Sequence, residues 1–267
     1  MHPFILVAPA TRGLSLALTR YYLRTTDLPV FATYRSGDAN DIKKNMLSTL
    51  ANVDPARLKL LHLELTSEDS MASAADALSE ALPQDTKPFI HTALLTGGVL
   101  YPERKPSDLD HSNLLHTFQI NVISHLLLIK HFLRFLPTPE MAQDISAAPS
   151  SQERALSRWV HVSARVGSIS DNRLGGWYSY RASKAALNQV IRTTDLHLKS
   201  KKIPAMCVGV HPGTVRTELS KQFWQGVPES KLFEPDDAAQ KLGEVVKSLE
   251  AKQRGKIWDW AGNEVPP

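Results

Sequence analysis

Tyr180 and Lys184 stand four residues apart in the segment Tyr-Arg-Ala-Ser-Lys. On a helix that spacing puts a phenol and an ammonium on one face, about a turn from each other. A neighbouring positive charge favours phenolate and lowers the phenol's pKa. Such a tyrosine can exchange a proton with a carbonyl or a hydroxyl. The spacing also occurs on ordinary surface helices, so the flanking segments decide between the two readings. Upstream, an apolar run ends in Val162-Ser163 and is followed by Gly167-Ser168 and a turn-forming stretch from Asn172 to Gly176. Downstream, a second apolar run closes in His211-Pro-Gly-Thr-Val-Arg-Thr217. No G-x-S-x-G elbow is present, which excludes that route to a serine hydrolase. Among the ten histidines, His111 and His116, and His125 and His131, miss the three- or four-residue helical spacing that would let them share a metal. No metal site is expected.

The elements that must position this pair can be read from periodicity. Short apolar runs alternate with helical patterns, which predicts an α/β chain with a parallel sheet covered on both faces. The expected strands are 4–8, 30–34, 58–63, 89–92, 158–163, 205–211 and 256–260, about seven in a doubly wound sheet. Helices are expected over 13–24, 39–50, 67–82, 110–136, 180–199 and 235–250. Residues 137–157, rich in Pro, Ser and Ala, interrupt that rhythm and read as a surface loop. A length of 267 residues with 42% hydrophobic composition fits a single domain, 1–267. Cys207 is the only cysteine, so no intrachain disulfide can form and a reducing compartment is expected. The net charge of +4 is scattered along the chain, which suits small anionic ligands and not nucleic acid. The first apolar stretch, Phe4 to Ala10, is too short for a span, and Ile120 to Leu136 carries Asn121, His125, Lys130, His131 and Arg134. A soluble, cytoplasmic protein with no membrane partner is expected.

Three segments taken together, FQINV around Asn121, YSYRASKAALN around Tyr180 and PGTVRT from Pro212, occur in an order and spacing that resemble the short-chain dehydrogenase/reductase family. The final GKIWDWAGNEVPP is similar to its carbonyl-reductase-like branch, which includes the C-factor and sniffer proteins. The resemblance implies a Rossmann-type fold and a reversible, NADPH-dependent reduction of a ketone or aldehyde. In it Tyr180 is the general acid, Lys184 holds the nicotinamide ribose, and Asn121 completes a proton relay. The family's substrate-orienting serine falls at Ala164 in this chain. Ser168 and Ser163 are the candidates for that role. Strand alternation turns Ser163 away from the face of residue 164, so Ser168, on the loop, is preferred. Ser163 also reads as a strand-end serine bonded to backbone.

The resemblance further implies a cofactor site, and here the chain departs from the family. The glycine-rich turn after the first strand reads Ala8-Pro-Ala-Thr11-Arg12-Gly13-Leu14-Ser15 and keeps only Gly13. Pro9 removes an amide donor, and Ser15 adds atoms where a helix should approach pyrophosphate closely. The expected cofactor contacts are Thr11, Arg12, Gly13 and Leu14, Arg35, Glu64 and Leu65, Ala93, Asn121, Tyr180, Lys184, Pro212, Gly213, Val215 and Thr217. Ala93 follows from aligning His91-Thr-Ala-Leu94 with the family's Asn-Asn-Ala-Gly; the alternative, through Thr96-Gly97-Gly98, requires an insertion. The second strand ends in Tyr34-Arg35 with no acidic residue, and Arg12 precedes Gly13. Two guanidinium groups can pair with a 2′-phosphate, so NADP(H) is preferred and NAD(H) is the second choice; solvated surface arginines are the competing reading. Residues 218–234 form an expected substrate flap whose Leu219, Phe223, Trp224, Val227 and Phe233 either meet a small hydrophobic carbonyl or alcohol or simply pack the flap down. Association through the two long helices into a homodimer or homotetramer is also implied. The alternative function is a catalytically weak binding or signalling protein with a degenerate cofactor loop.

Overall fold

A computed structural model describes residues 1–147 and 156–267. Its first half alternates β1 (His2–Ala8), α1 (Gly13–Thr25), β2 (Val30–Tyr34), α2 (Ala39–Leu47), β3 (Leu58–His62), α3 (Glu68–Ala81) and β4 (Pro88–Leu95). Local chemistry sets several of these boundaries. Asp38 accepts from the amides of Asn40 and Asp41, and Ser67 accepts from Ser70, each satisfying orphan donors at a helix start. The long helix expected over 110–136 is broken into α4 (His111–Phe118), a π-turn (Gln119–Ile123) and α5 (Ser124–Phe132). Pro139–Met141 and α6 (Ala142–Ser146) occupy part of the expected surface loop, and Met141 and Ile145 are buried with Phe89. The rest of that loop, 148–155, lies outside the described residues. There follow β5 (Ser157–Val162), α7 (Tyr178–Ser200), β6 (Ala205–His211), β7 (Thr214–Val215), β8 (Leu232–Phe233), α8 (Pro235–Ser248), β9 (Ile257–Asp259) and β10 (Glu264–Val265).

Eight strands form the main sheet, one more than expected, in the order β3-β2-β1-β4-β5-β6-β9-β10. All pairings are parallel except β9 with β10. The extra strand has two residues, too few for alternation to announce it. One apolar layer packs α3, α5 and α7 against the sheet, with Met71, Phe132, Leu187 and Ile191 buried. The opposite layer packs α1, α2 and α8, with Leu18, Leu23, Met46 and Leu242 buried. Each such side chain contributes about 1.5–3 kcal/mol of burial. Among the described residues no single helix is long and apolar enough to cross a membrane.

The order of crossovers reverses between β1 and β4, where the carboxyl ends of neighbouring strands leave a crevice. A register irregularity shapes that crevice: Phe4 faces Ile90 while Ile5 faces Thr92, so His91 is an extra residue in β4. The strand consequently runs on to Leu95, paired with Ala8, instead of stopping near Thr92.

Candidate active site

Residues at the start of α7 fix where Tyr180 stands. Gly175, Gly176 and Trp177 all have positive φ, 63°, 65° and 50°, turning the chain sharply into the helix. Glu103, itself 4% exposed, receives that turn. Its backbone carbonyl accepts from Trp177 N at 2.6 Å, and its carboxylate accepts from Ser179 N at 3.3 Å and from the Ser179 hydroxyl. A buried carboxylate at a helix N-terminus also meets the favourable end of the helix dipole. Tyr180 and Lys184 are both buried on the inner face of α7. Lys184 Nζ donates to the Val162 carbonyl at 3.0 Å and lies 5.7 Å from the centre of the Tyr180 ring.

Burial governs the protonation of this pair. It pushes the Tyr180 phenol up to about 12 and the Lys184 ammonium down to about 8. The expectation that the ammonium lowers the phenol's pKa is therefore corrected: burial acts on the phenol and raises it. The phenol keeps its proton, and among the described residues no group hydrogen-bonds its hydroxyl.

Asn121 sits in the π-turn and is fully buried. Its Nδ2 donates to Val99 O and Ser183 Oγ, each at 3.0 Å, and its Oδ1 accepts from Val99 N at 2.8 Å. Gly98 faces both neighbours: a Cβ there would stand 3.6 Å from Lys184 Nζ and 3.8 Å from Asn121 Oδ1. Lys184 from α7, Asn121 from the π-turn and Gly98 from the loop after β4 thus converge, with the Tyr180 ring beside Lys184.

The serine expectation is corrected as well. Ser168 donates to the Pro267 carbonyl at 3.2 Å and accepts from Asp171 N at 3.1 Å, so its only proton goes to the chain's last residue. Ser163 donates to Asn188 Oδ1 at 2.6 Å. Ala164, at the position where the family's serine would stand, offers only a methyl group.

The other side of the crevice, where the resemblance implies a nucleotide, is built from different material. Gly13 opens α1 with φ +52°, and a Cβ on it would come within 3.0 Å of Thr217 Cγ2, so this glycine is needed for both conformation and space. Arg12 at the N-cap makes no capping bond and the first turn carries no acidic residue. The first amides of α1 are therefore available to an anion. Ser15 Oγ donates to Thr96 Oγ1 at 2.7 Å, and Thr96 Oγ1 donates to the Pro9 carbonyl at 2.9 Å. The two residues that break the glycine pattern are thus joined through one hydroxyl beyond the end of β4.

That geometry corrects the placement of Ala93. It lies mid-strand, paired with Leu6 and Trp159 and buried in the core. Thr96-Gly97-Gly98 emerges from the strand end in its stead, and His91 is the insertion that alignment requires. A Cβ on Gly97 would press within 2.8 Å of Leu65 Cδ1, which brings Leu65 to this loop. Arg35 pairs with Glu64 at 3.6 Å while 69% of its side chain stays exposed, and Arg12 is exposed with no ion pair among the described residues. Leu14 is half-buried against both the α1 layer and the flap cluster, and Thr11 is half-buried at the loop.

Beyond β6, Pro212 is half-buried and Gly213 has φ +75° with no room for a Cβ, which would fall 2.7 Å from Phe233. Val215 is buried with Phe233 where β7 pairs with β8, stitching the far end of the flap to the body. Phe223 packs on Trp177 at 4.7 Å between ring centres, and Trp177 on Tyr180 at 6.2 Å. Trp224 lies under Arg216. Free helix amides, Gly98 beside Lys184 and Asn121, and two exposed arginines fit an anionic dinucleotide. Sequence reasoning offered Thr96 only within the alternative alignment through Thr96-Gly97-Gly98, and it missed Glu103 as a positioning group, which nothing in the pattern marked.

The family model described as short chain dehydrogenase matches residues 3–227. The C-signal of Myxococcus xanthus is 32% identical over 159 residues, covering 60% of this chain and 81% of its own. Among solved structures, the carbonyl reductase Sniffer of D. melanogaster superposes with a TM-score of 0.82 at 22% identity over 100% of both chains. The NADPH-bound carbonyl reductase from chicken fatty liver gives 0.81 at 25% identity, again over 100% of both.

Proposed function

This chain belongs to the short-chain dehydrogenase family, and on that premise we propose that it is an NADPH-dependent reductase of a small hydrophobic ketone or aldehyde, working reversibly. The observation that carries the reading is the convergence of Lys184 and Asn121 on Gly98, with the Tyr180 ring 5.7 Å from the Lys184 ammonium. The nicotinamide cofactor, when bound, supplies the hydride that reaches the carbonyl carbon. Tyr180 donates its proton to the carbonyl oxygen as that oxygen becomes an alcohol. Lys184, held over the Tyr180 ring, offers its ammonium to the nicotinamide ribose and to the phenolate left behind. Asn121 keeps the Gly98–Val99 backbone in register with both. Amides from Gly13 onward would take the pyrophosphate, with Thr11, Leu14, Glu64, Leu65, Pro212, Gly213, Val215 and Thr217 lining the cleft. Arg12 and Arg35 would read a 2′-phosphate.

The likeness to an NADPH-bound reductase supports the same cofactor choice. Phe223 packed at a tilt against Trp177, which itself meets Tyr180, supports an apolar substrate admitted under the flap spanning 218–234. The whole chain, 1–267, then works as one domain in the cytoplasm. Exposed Leu126 and half-buried Ile129 and Val190 line an apolar groove between α5 and α7 that would be covered in a homodimer or homotetramer, which sedimentation would register. The test is direct: titrate the protein with NADPH and NADH by tryptophan quenching and thermal shift, then assay a carbonyl panel. NADPH should quench and stabilise more strongly than NADH, and an apolar carbonyl should be reduced. No response to either nucleotide would sink the reading in favour of a scaffold protein.

A further inference from the structure

Three groups hold the loop that leaves β4. Thr96 is tied to Pro9 and Ser15, and Val99 is clamped on both sides by Asn121. Between them the Gly97 carbonyl bonds His125 Nε2 at 3.0 Å. His125 is fully buried on α5, and its Nδ1 lies 2.8 Å from His161 Nδ1, also fully buried, on β5. Trp159, two residues earlier on the same face of that strand, donates its indole N–H to His161 Nε2 at 3.0 Å.

These partners leave one assignment of protons. The indole can only donate, so His161 Nε2 is the acceptor and its proton resides on Nδ1. That proton is donated to His125 Nδ1, which places the His125 proton on Nε2, facing a carbonyl that can only accept. Burial keeps both imidazoles neutral, assisted by the nearby Lys184 charge: His125 is pushed down to about 3 and His161 well below its ordinary value. Each ring nitrogen is satisfied, and the chain runs one way, from the core to the loop.

We propose, building on the cofactor reading above, that His125 and His161 are positioning residues that aim the Gly97–Gly98 peptide at the nucleotide. In a planar trans peptide the C=O and the following N–H point in opposite directions. Drawing the Gly97 carbonyl inward to His125 therefore turns the Gly98 N–H outward. That amide has no partner among the described residues, and Gly98 is the residue beside Lys184 and Asn121. The histidine pair would thus hold a backbone donor ready for the bound nucleotide. A core that needed only filling could have used apolar side chains at these positions without three buried polar bonds to satisfy.

Two substitutions separate this role from simple packing. His125→Asn keeps an acceptor near His161 but is too short to reach the Gly97 carbonyl, whereas His125→Gln can place an amide donor there. His125→Asn should weaken NADPH binding about tenfold, the equivalent of one lost bond, and His125→Gln should stay within about twofold of wild type. Long-range proton–nitrogen NMR on histidine-labelled wild type should find His125 as the Nε2–H tautomer and His161 as the Nδ1–H tautomer, both neutral down to pH 5. Equal affinity in wild type and both variants would overturn the positioning role while leaving the cofactor reading intact. Opposite tautomers, or a histidine of this pair titrating near its ordinary pKa, would overturn it too. Failure of wild type to bind either nucleotide would overturn the cofactor reading and the positioning role together.

Discussion

The two halves of the cleft solve their problems with opposite materials. On the proposed proton-transfer side, Tyr180, Lys184 and Asn121 are the residue types the family resemblance calls for, all three buried, with Lys184 and Asn121 held by bonds to the backbone or to Ser183. On the nucleotide side, the glycines are largely replaced, and order comes from a side-chain bridge: Ser15 to Thr96 to the Pro9 carbonyl. A proton donor admits few substitutes, because the reacting atom must be a titratable group in the right place. A phosphate cradle needs only amides correctly aimed, and hydroxyl bonds can aim them as well as glycine turns can.

If that division is right, the largest effect comes from the half that cannot be substituted. Tyr180→Phe removes the proton and almost nothing else, since no described group bonds that hydroxyl. Turnover should fall about a thousandfold while NADPH affinity and melting temperature stay near wild type. Steady-state kinetics beside a binding titration would check it; an active phenylalanine variant would dissolve the contrast between the halves.

How far the site could be read in the sequence follows the same line. Alternating apolar runs were enough for the parallel sheet, because periodicity is a local property, while Tyr180 and Lys184 were singled out through the family resemblance of YSYRASK and PGTVRT, and both lie buried on α7. The position of Thr96 was not local. It depends on His91 being accommodated as an extra residue opposite Phe4 and Ile5, a cross-strand matter that no window along β4 can reveal. The same holds for Ser168, whose loop placement suggested the pocket but whose proton is taken by Pro267 from the far end of the chain. The π-turn that interrupts α4 and α5 was hidden for another reason: it leaves the apolar pattern of a long helix nearly intact.

A middle-sized effect is expected from the bridge. Thr96→Val preserves shape but leaves the Pro9 carbonyl and the Ser15 hydroxyl without their partner. NADPH dissociation should rise about tenfold, the cost of one to two kcal/mol for orphaned polar groups, with the turnover number at saturating cofactor changed far less. Titration by fluorescence reads the first quantity and saturation kinetics the second. An equal fall in NADPH affinity and in turnover number would mean that Thr96 serves the proton-transfer half as well, and that the halves are not separable.

The smallest predicted effect runs in the opposite direction. On the proposed mechanism, Ala164 would leave the substrate oxygen with one side-chain donor, Tyr180, because Ser163 and Ser168 spend their protons on Asn188 and Pro267. Ala164→Ser adds a hydroxyl at a position that is 7% exposed, bordering the turn from Arg165 to Gly167 that packs against Lys184. One added hydrogen bond to a developing alkoxide is worth about 1 kcal/mol net, so turnover should rise roughly three- to tenfold. Because the new donor acts on charge that grows during the reaction, the gain should appear in the turnover number more than in KM. A carbonyl-reduction assay comparing the two proteins decides it. Unchanged or lower turnover with intact cofactor binding would mean that the oxygen already has a second donor, and the backbone amide of Gly98 would be the first group to examine.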